Sequence, residues 1–194
     1  MQATSTQSMN MHAENDEAGR GISCAVLDGG EIALVRISGR GCFSNSLAMK
    51  RFASHAQKRG ADLKFIVDLK DCDSMDSTFM GVMAGIVIHH TQNKMPKVIV
   101  INAGDHCKKC LKNLGLLPLL DVRAGHVKEL DRAEDALAPA PVAEPSRLDQ
   151  ICLTLQAHQQ LVKLDEQNEV RFQAVIEYLE KSLEEEKGGG ECKA

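Results

Sequence analysis

The chain has 194 residues and a formal net charge of −4; apolar residues make up 43 % of it, with no Trp and one Tyr. The acidic balance excludes a typical nucleic-acid binder, which needs clustered Lys and Arg, and no apolar run approaches the roughly 20 residues that span a bilayer. The seven cysteines show no framework spacing, so we expect reduced thiols and a cytoplasmic protein.

The first part of the chain predicts a polar lead followed by a hairpin and a helix. Residues 1–20 have no apolar segment, and we expect them to be disordered. Ile22–Asp28 and Glu31–Gly39 are rich in strand-forming residues and are separated by an Asp-Gly-Gly turn. Ser44–Gly60 has helical spacing and ends on glycine.

The next segments alternate between strand and helix patterns. Leu63–Leu69 and Lys97–Asn102 predict buried strands, and the segment from Ser77 to about Asn93 predicts a helix. Asp105–Gly115 predicts a second helix, and residues 117–122 predict an edge strand. This order predicts an α/β fold with helices packed on the sheet.

A composition change divides the chain into a domain and an extension. We predict that the domain covers 21–137 and that an Ala/Pro-rich linker covers 138–146. Residues 147–187 contain no Gly or Pro and predict one long amphipathic helix or two shorter ones, followed by a flexible tail at 188–194. Three hypotheses remain open for the extension: it covers an apolar face of the domain, self-associates, or docks onto a partner.

The acidic stretch Asp71–Met83 admits three interpretations. The first is a helix cap, in which Asp76 or Ser77 accepts a hydrogen bond from the first turn. The second is a metal site built from carboxylates, although no glycine allows a calcium loop here. Its candidate ligands are Asp68, Asp71, Asp73 and Asp76.

The third interpretation is phosphorylation of a hydroxyl at the start of the helix. Unsatisfied N–H groups and the positive end of the helix dipole favour an added phosphate there. A phosphate carries about −1.5 to −2 charge at pH 7. It would change the charge of a contact surface while the fold remained intact.

The residues from Phe65 to Ile86, FIVDLKDCDSMDSTFMGVMAGI, resemble the signature of STAS domains, the anti-sigma factor antagonist family. That signature is a strand ending in Val-Asp-Leu, an acidic loop, and Asp-Ser-Ser/Thr-Gly-Leu-Gly-Val opening a helix. The Leu-Gly-Leu sequence at Leu114–Leu116 is also similar to this family. The resemblance covers about Gly21 to Leu137 and implies a STAS-like sheet.

The resemblance assigns roles to several residues of the signature. Ser77 matches the serine that a partner kinase phosphorylates in regulatory members of the family, and Phe79 stands where the family has its first glycine. A ring at that position lies either on the docking surface or in the core. The residues expected to bind a partner are Asp76, Thr78, Phe79, Met80 and Gly81.

The resemblance also implies a function. Such domains bind an anti-sigma factor that is a serine kinase, are released when that kinase phosphorylates them, and are restored by a serine phosphatase. The chain is then expected to be a regulatory protein of transcription with no catalytic residue, metal or cofactor of its own. The alternative is a structural STAS module, never phosphorylated, in a larger signalling or transport-associated complex.

Two further groups of residues contain side chains that can carry chemistry. His89 and His90 lie about 18 Å along the predicted helix from Ser77 and are expected at its solvated end. Cys107 and Cys110, preceded by His106, form one isolated Cys-x-x-Cys pair. A structural zinc site needs four ligands, so this pair predicts ordinary packing thiols.

Overall fold

A computed structural model of the protein describes residues 21–125, 133, 135–140 and 145–188. The expected disordered lead at 1–20 lies outside the described residues. Residues 141–144 of the predicted linker and 189–194 of the predicted tail also lie outside them.

The described residues form one six-stranded mixed sheet with the order β5-β4-β3-β2-β1-β6. Strands β2 to β5 are parallel to one another, whereas β1 is antiparallel to both β2 and β6. The strands are β1 (Gly21–Leu27), β2 (Ile32–Gly41), β3 (Lys64–Met75), β4 (Ile99–Ile101), β5 (Asp121–Arg123) and β6 (Ala138–Pro139).

Helices connect the parallel strands, and two more follow the sheet. The helices are α1 (Phe43–Ala56), α2 (Ser77–Gln92), α3 (Asp105–Asn113), α4 (Arg147–Leu164) and α5 (Gln167–Gly188). The predicted α/β class, with helices packed on the sheet, is therefore confirmed, as is the predicted hairpin. The edge strand predicted at 117–122 begins only at Asp121, because Leu117–Leu119, with Pro118, form a short 3-10 turn.

The β1–β2 hairpin closes through a short turn over Asp28–Gly30. Gly29 has a φ of 66°, in the left-handed region that costs glycine little. The turn pairs Leu27 with Ile32 and fixes the register of both strands.

Both faces of the sheet are buried, as the apolar run in β3 predicts. Phe65 and Val67 face a core shared with α1, α2 and α3, while Ile66 faces a second cluster with Leu34 and Ile101. Full burial of one such side chain stabilises the fold by about 1.5–3 kcal/mol.

The C-terminal extension is two helices rather than one, and it folds back onto the domain. Helix α4 begins at a capping box between Ser146 and Asp149, and the chain turns at Asp165 before α5 begins. Leu161 of α4 and Phe172 of α5 belong to the same core cluster as the domain's helices. We call α4 and α5 together the helical hairpin. Of the three hypotheses for the extension, coverage of a domain face is therefore observed.

Two local features differ from the expectations. Ala138 and Pro139, predicted to begin the linker, form strand β6 beside β1; an outer strand tolerates the missing N–H of proline. His90 was expected at the solvated end of α2 but is buried, because the helix end packs beside Phe65.

Candidate functional site

Ser77 is the first residue of α2, and the preceding Asp76 caps two helices at once. One carboxylate oxygen of Asp76 accepts the N–H of Phe79 at 2.8 Å, which caps α2. The other accepts the N–H of Phe43, the first residue of α1, at 2.9 Å. Of the two residues predicted as the cap, Asp76 has this role, and its carboxylate is occupied within the fold.

The other residues expected to bind a partner are almost inaccessible. Thr78 and Met80 are each 6 % exposed, and Phe79 is 0 % exposed. The ring of Phe79 lies against Gly41, where an added Cβ would come within 2.9 Å of it. Phe79 therefore packs inward and is corrected from a surface contact to a core residue, with no area to offer a partner in this conformation.

The hydroxyl of Ser77 is half-buried and contacts a histidine of the helical hairpin. Nε2 of His158 lies 3.0 Å from Oγ of Ser77. Nδ1 of the same ring lies 2.8 Å from the carbonyl oxygen of Thr154, and the ring packs edge-on against Phe172 with centroids 4.9 Å apart. Three contacts thus fix the orientation of His158.

The hydrogen-bond partners define the roles of the two ring nitrogens. A carbonyl only accepts, so Nδ1 of His158 carries a proton towards Thr154. In the neutral ring Nε2 is then an acceptor, and the hydroxyl of Ser77 donates to it. The contact holds the Ser77 hydroxyl against α4. An oriented imidazole hydrogen-bonded to a serine is also the arrangement in which a base can abstract the hydroxyl proton.

Glycines of α2 allow α4 to approach closely. An added Cβ on Gly81 would lie 2.3 Å from the carbonyl oxygen of Ala157. One turn further along, an added Cβ on Gly85 would meet the side chain of Gln160 at an ordinary 3.5 Å. Gly81, expected to bind a partner, is instead in contact with the chain's own α4.

His158 was missed by the sequence analysis, which considered only His89 and His90 as neighbours for Ser77. The histidine that bonds Ser77 is His158, which lies 81 positions along the chain from it. A signal was present: His158 stands three residues from both Leu155 and Leu161 on the apolar stripe of α4. A buried polar side chain needs a hydrogen-bond partner, which could have been sought in the domain.

A cavity of about 200 Å³ separates part of α4 from α1 and α2. Lys50 and Gln156, hydrogen-bonded to each other, are among its lining residues. Gln57 Nε2 and His89 Nδ1, on two other lining side chains, are buried and have no hydrogen-bond partner among the described residues. The contact between the helical hairpin and the domain is therefore incompletely packed.

The acidic residues considered as metal ligands are not brought together into a metal site among the described residues. Asp68 is fully buried and accepts hydrogen bonds from Arg36 at 2.9 Å and from Asn102 at 3.0 Å. Asp71 and Asp73 are exposed. Within the described residues, no three His, Cys, Asp or Glu side chains are grouped as metal ligands would be.

The remaining candidate thiols and imidazoles are packing groups. Cys107 is buried, and its thiol pKa is raised by a hydrogen bond with Cys72 and by burial. Cys110 contacts His106 at 3.7 Å. Burial lowers the pKa of His90, whose Nδ1 lies 2.7 Å from the carbonyl oxygen of Pro96.

Among the described helices, none combines the length and the apolar character needed to cross a bilayer.

Solved structures similar to this chain include anti-sigma factor antagonists, as the resemblance in the sequence predicted. SpoIIAA in its unphosphorylated form is 15 % identical, with 59 % of this chain and 96 % of that chain covered and a TM-score of 0.46. Bacillus SpoIIAA in its phosphorylated form is 19 % identical, with 59 % and 100 % covered and a TM-score of 0.48. A candidate anti-sigma factor antagonist from Thermotoga maritima is 15 % identical, with 58 % and 92 % covered and a TM-score of 0.46. No family model and no curated protein matches the chain.

Proposed function

We propose that the chain is an anti-sigma factor antagonist that acts in the cytoplasm by partner switching. The unphosphorylated form binds an anti-sigma factor that is also a serine kinase. That kinase phosphorylates Ser77 and the complex separates, and a serine phosphatase restores the binding form. The chain itself contributes a binding surface and a phosphate acceptor, and no catalytic group.

The position of Ser77 is the observation that supports this proposal. Its hydroxyl is half-buried at the first residue of α2. The N–H groups of Ser77 and Thr78 have no acceptor within the helix, because the first turn of any helix lacks one. A phosphate on Oγ would meet these donors and the positive end of the helix dipole.

The local fold is suited to survive this modification. The cap of α2 comes from Asp76, not from Ser77, so a phosphate on the hydroxyl removes no capping hydrogen bond. Asp71 and Asp73 are exposed nearby in the sequence, at the end of β3. Added phosphate therefore increases an existing negative charge, which repels a partner with an acidic or apolar docking face.

The experiment is phosphorylation of the full chain with ATP and each anti-sigma-type serine kinase of the source organism. We expect one phosphoryl group on the wild type, at Ser77 by peptide mass spectrometry, and none on Ser77→Ala. Ser74→Ala, which removes a hydroxyl from a half-buried residue near the end of β3, is the matched control and should be labelled like the wild type. Equal labelling of Ser77→Ala would refute the proposal.

A second candidate function is a structural STAS module in a larger complex. The observation that favours it is the hydrogen bond between Ser77 and His158, which uses the hydroxyl to hold the helical hairpin on the domain. In this case Ser77→Asp and Ser77→Ala would capture the same partners from cells. Under partner switching, Ser77→Asp alone loses the kinase.

Self-association through the extension stays a prediction. Val175 and Tyr178 of α5 are 40 % and 70 % exposed, and they lie three residues apart on one face of the helix. If this face joins two copies, Val175→Lys will lower the sedimentation coefficient of the chain. A wild-type chain that sediments as a monomer would rule out self-association through this face.

A further inference from the structure

One stripe of α2 is covered by α4 along three successive positions. Ser77, Gly81 and Gly85 recur at four-residue steps and so share a face of the helix. Their neighbours across the interface are His158, Ala157 and Gln160. The hydroxyl to be phosphorylated thus begins a surface that the chain's own hairpin occupies.

The contact has features of a surface that can open. Gly81 and Ala157 are small and bury little apolar area. The cavity beside them leaves part of the contact between α4 and the domain unfilled, which reduces the packing energy of the closed arrangement. Leu153 and Leu161, 3 % and 0 % exposed, keep it closed in the free chain.

A second set of contacts holds the hairpin at its turn. Asn168 is fully buried and donates to the carbonyl oxygens of Leu114 and Leu161. Arg171 donates to the carbonyl oxygen of Asn113 at 2.8 Å. These anchors are polar and can be replaced by water, as in interfaces between partners that associate reversibly.

We propose that the helical hairpin is an intramolecular cap over Ser77, and that a kinase or partner reaches the serine only after α4 leaves α2. This inference rests on the proposed function for the identity of the visiting protein. The cap itself is a property of the chain and can be measured without any partner.

Phosphorylation would also weaken the closed cap. In that step the bond between the γ-phosphorus of ATP and the oxygen that bridges it to the β-phosphorus breaks, and ADP leaves with that oxygen. Oγ of Ser77 bonds to the phosphorus, and its proton passes to a base of the kinase. Oγ and Nε2 of His158 are only 3.0 Å apart, a hydrogen-bond distance that leaves no room for a phosphoryl group between them. Phosphorylation therefore removes the hydrogen bond between Ser77 and His158, and we expect the modified chain to open more readily.

The test measures access to position 77 through the full-length Ser77→Cys variant. Iodoacetamide alkylation of the introduced thiol is followed by peptide mass spectrometry, which separates it from the native cysteines. Ala157→Glu in this background places a charge against α2, and Ala174→Glu places the same charge at an exposed position of α5. We expect Ala157→Glu to raise the alkylation rate on the order of tenfold or more, and Ala174→Glu to leave it unchanged.

Amide hydrogen exchange of β2 and β3 shows whether the domain remains folded in each variant. If Ala157→Glu unfolds the sheet, Asn168→Ala replaces it, because that change releases the hairpin at its turn, where Asn168 bonds Leu114. Its matched control is Gln167→Ala, at an exposed neighbour. Equal alkylation rates in variant and control, with the sheet protected, would overturn the cap.

A kinase assay on the same hairpin variants, with Ser77 intact, separates the cap from the proposed function. Faster phosphorylation of Ala157→Glu than of Ala174→Glu supports both. If Ala157→Glu is alkylated faster but neither the wild type nor any variant is phosphorylated, the proposed function is refuted, whereas the cap is supported. Faster alkylation with equal phosphorylation rates overturns the claim that the cap controls the kinase.

Discussion

The glycines of α2 provide a matched pair of substitutions that tests the contact with α4. Gly81→Ala and Gly85→Ala add the same methyl group one turn apart on the same helix. Each replaces glycine inside a helix, which alone favours the helix by about 0.8–1 kcal/mol. The two variants differ only in what the new Cβ meets.

The distances set the expected difference. At Gly81 the Cβ would lie 2.3 Å and 2.5 Å from the carbonyl oxygen and carbon of Ala157, where ordinary contact needs 3.4–4 Å. Both atoms are main chain, so no rotamer change relieves the clash, and α4 must move by about 1 Å or leave. Overpacking of this kind costs about 1–3 kcal/mol. At Gly85 the nearest atom is Gln160 Cγ at 3.5 Å, an ordinary contact.

We therefore expect Gly85→Ala to stabilise the chain and Gly81→Ala to be less stable than Gly85→Ala by about 1–3 kcal/mol. Urea unfolding measures the free energy of unfolding, and amide exchange locates the change. In Gly81→Ala the protection of α4 should fall while that of β3 is kept. Equal stabilisation by the two substitutions, with α4 equally protected, would refute the close approach of α4 to α2.

Three other predictions follow from single groups. Asp76→Ala removes the cap of two helices and should lower the free energy of unfolding, measured in urea, by roughly 2 kcal/mol. Asp73→Ala, at an exposed position, should change this free energy by less than about 0.5 kcal/mol. Equal effects of the two substitutions would contradict the double cap. Burial lowers the pKa of His90 from its ordinary 6.5. Near that pH the unfolded chain therefore binds a proton that the folded chain does not, and stability falls as the pH drops below 6.5. His90→Gln should flatten this part of the pH profile of the thermal-unfolding temperature, and an unchanged slope would contradict the lowered pKa of His90. Burial raises the pKa of the Cys24 thiol to about 12, and a side-chain hydrogen bond from the Cys107 thiol lowers the pKa of Cys72. Iodoacetamide at mildly alkaline pH should therefore label Cys72 before Cys24, and the reverse order would contradict both directions.

Local patterns were sufficient to predict most of the domain. The apolar run Leu63–Leu69 became β3, the turn glycines placed the first hairpin, and the Asp-Ser pair marked the start of α2. Each of these is determined by neighbours in the sequence: side-chain period, turn conformation and capping. The prediction that Asp76 or Ser77 caps the helix was right for the same reason.

Contacts between distant parts of the chain could not be predicted in this way. The amphipathic stripe at 147–187 indicated that the extension packs on something, but periodicity names no partner. Only the folded chain shows that His158 reaches Ser77 and that Ala157 lies on Gly81. The two-residue strand β6 could not be predicted for the same reason. Ala138 and Pro139 carry no strand pattern in the sequence, and they form a strand because β1 offers a free edge to pair with.

The helical hairpin changes how the signature around Ser77 must be interpreted. Phe79, which stands where the family pattern has its first glycine, fills space against Gly41 inside the domain and leaves the outer stripe of α2 unaltered. Gly81 keeps the family's residue, and in this chain a side chain there would collide with α4. The outer stripe of α2 is thus occupied by α4, and the partner that we propose for this stripe would have to displace Ala157 and His158. Affinity for that partner then depends on the stability of the closed hairpin. Only the open state can bind, so the apparent affinity is the intrinsic affinity multiplied by the fraction of chains that are open.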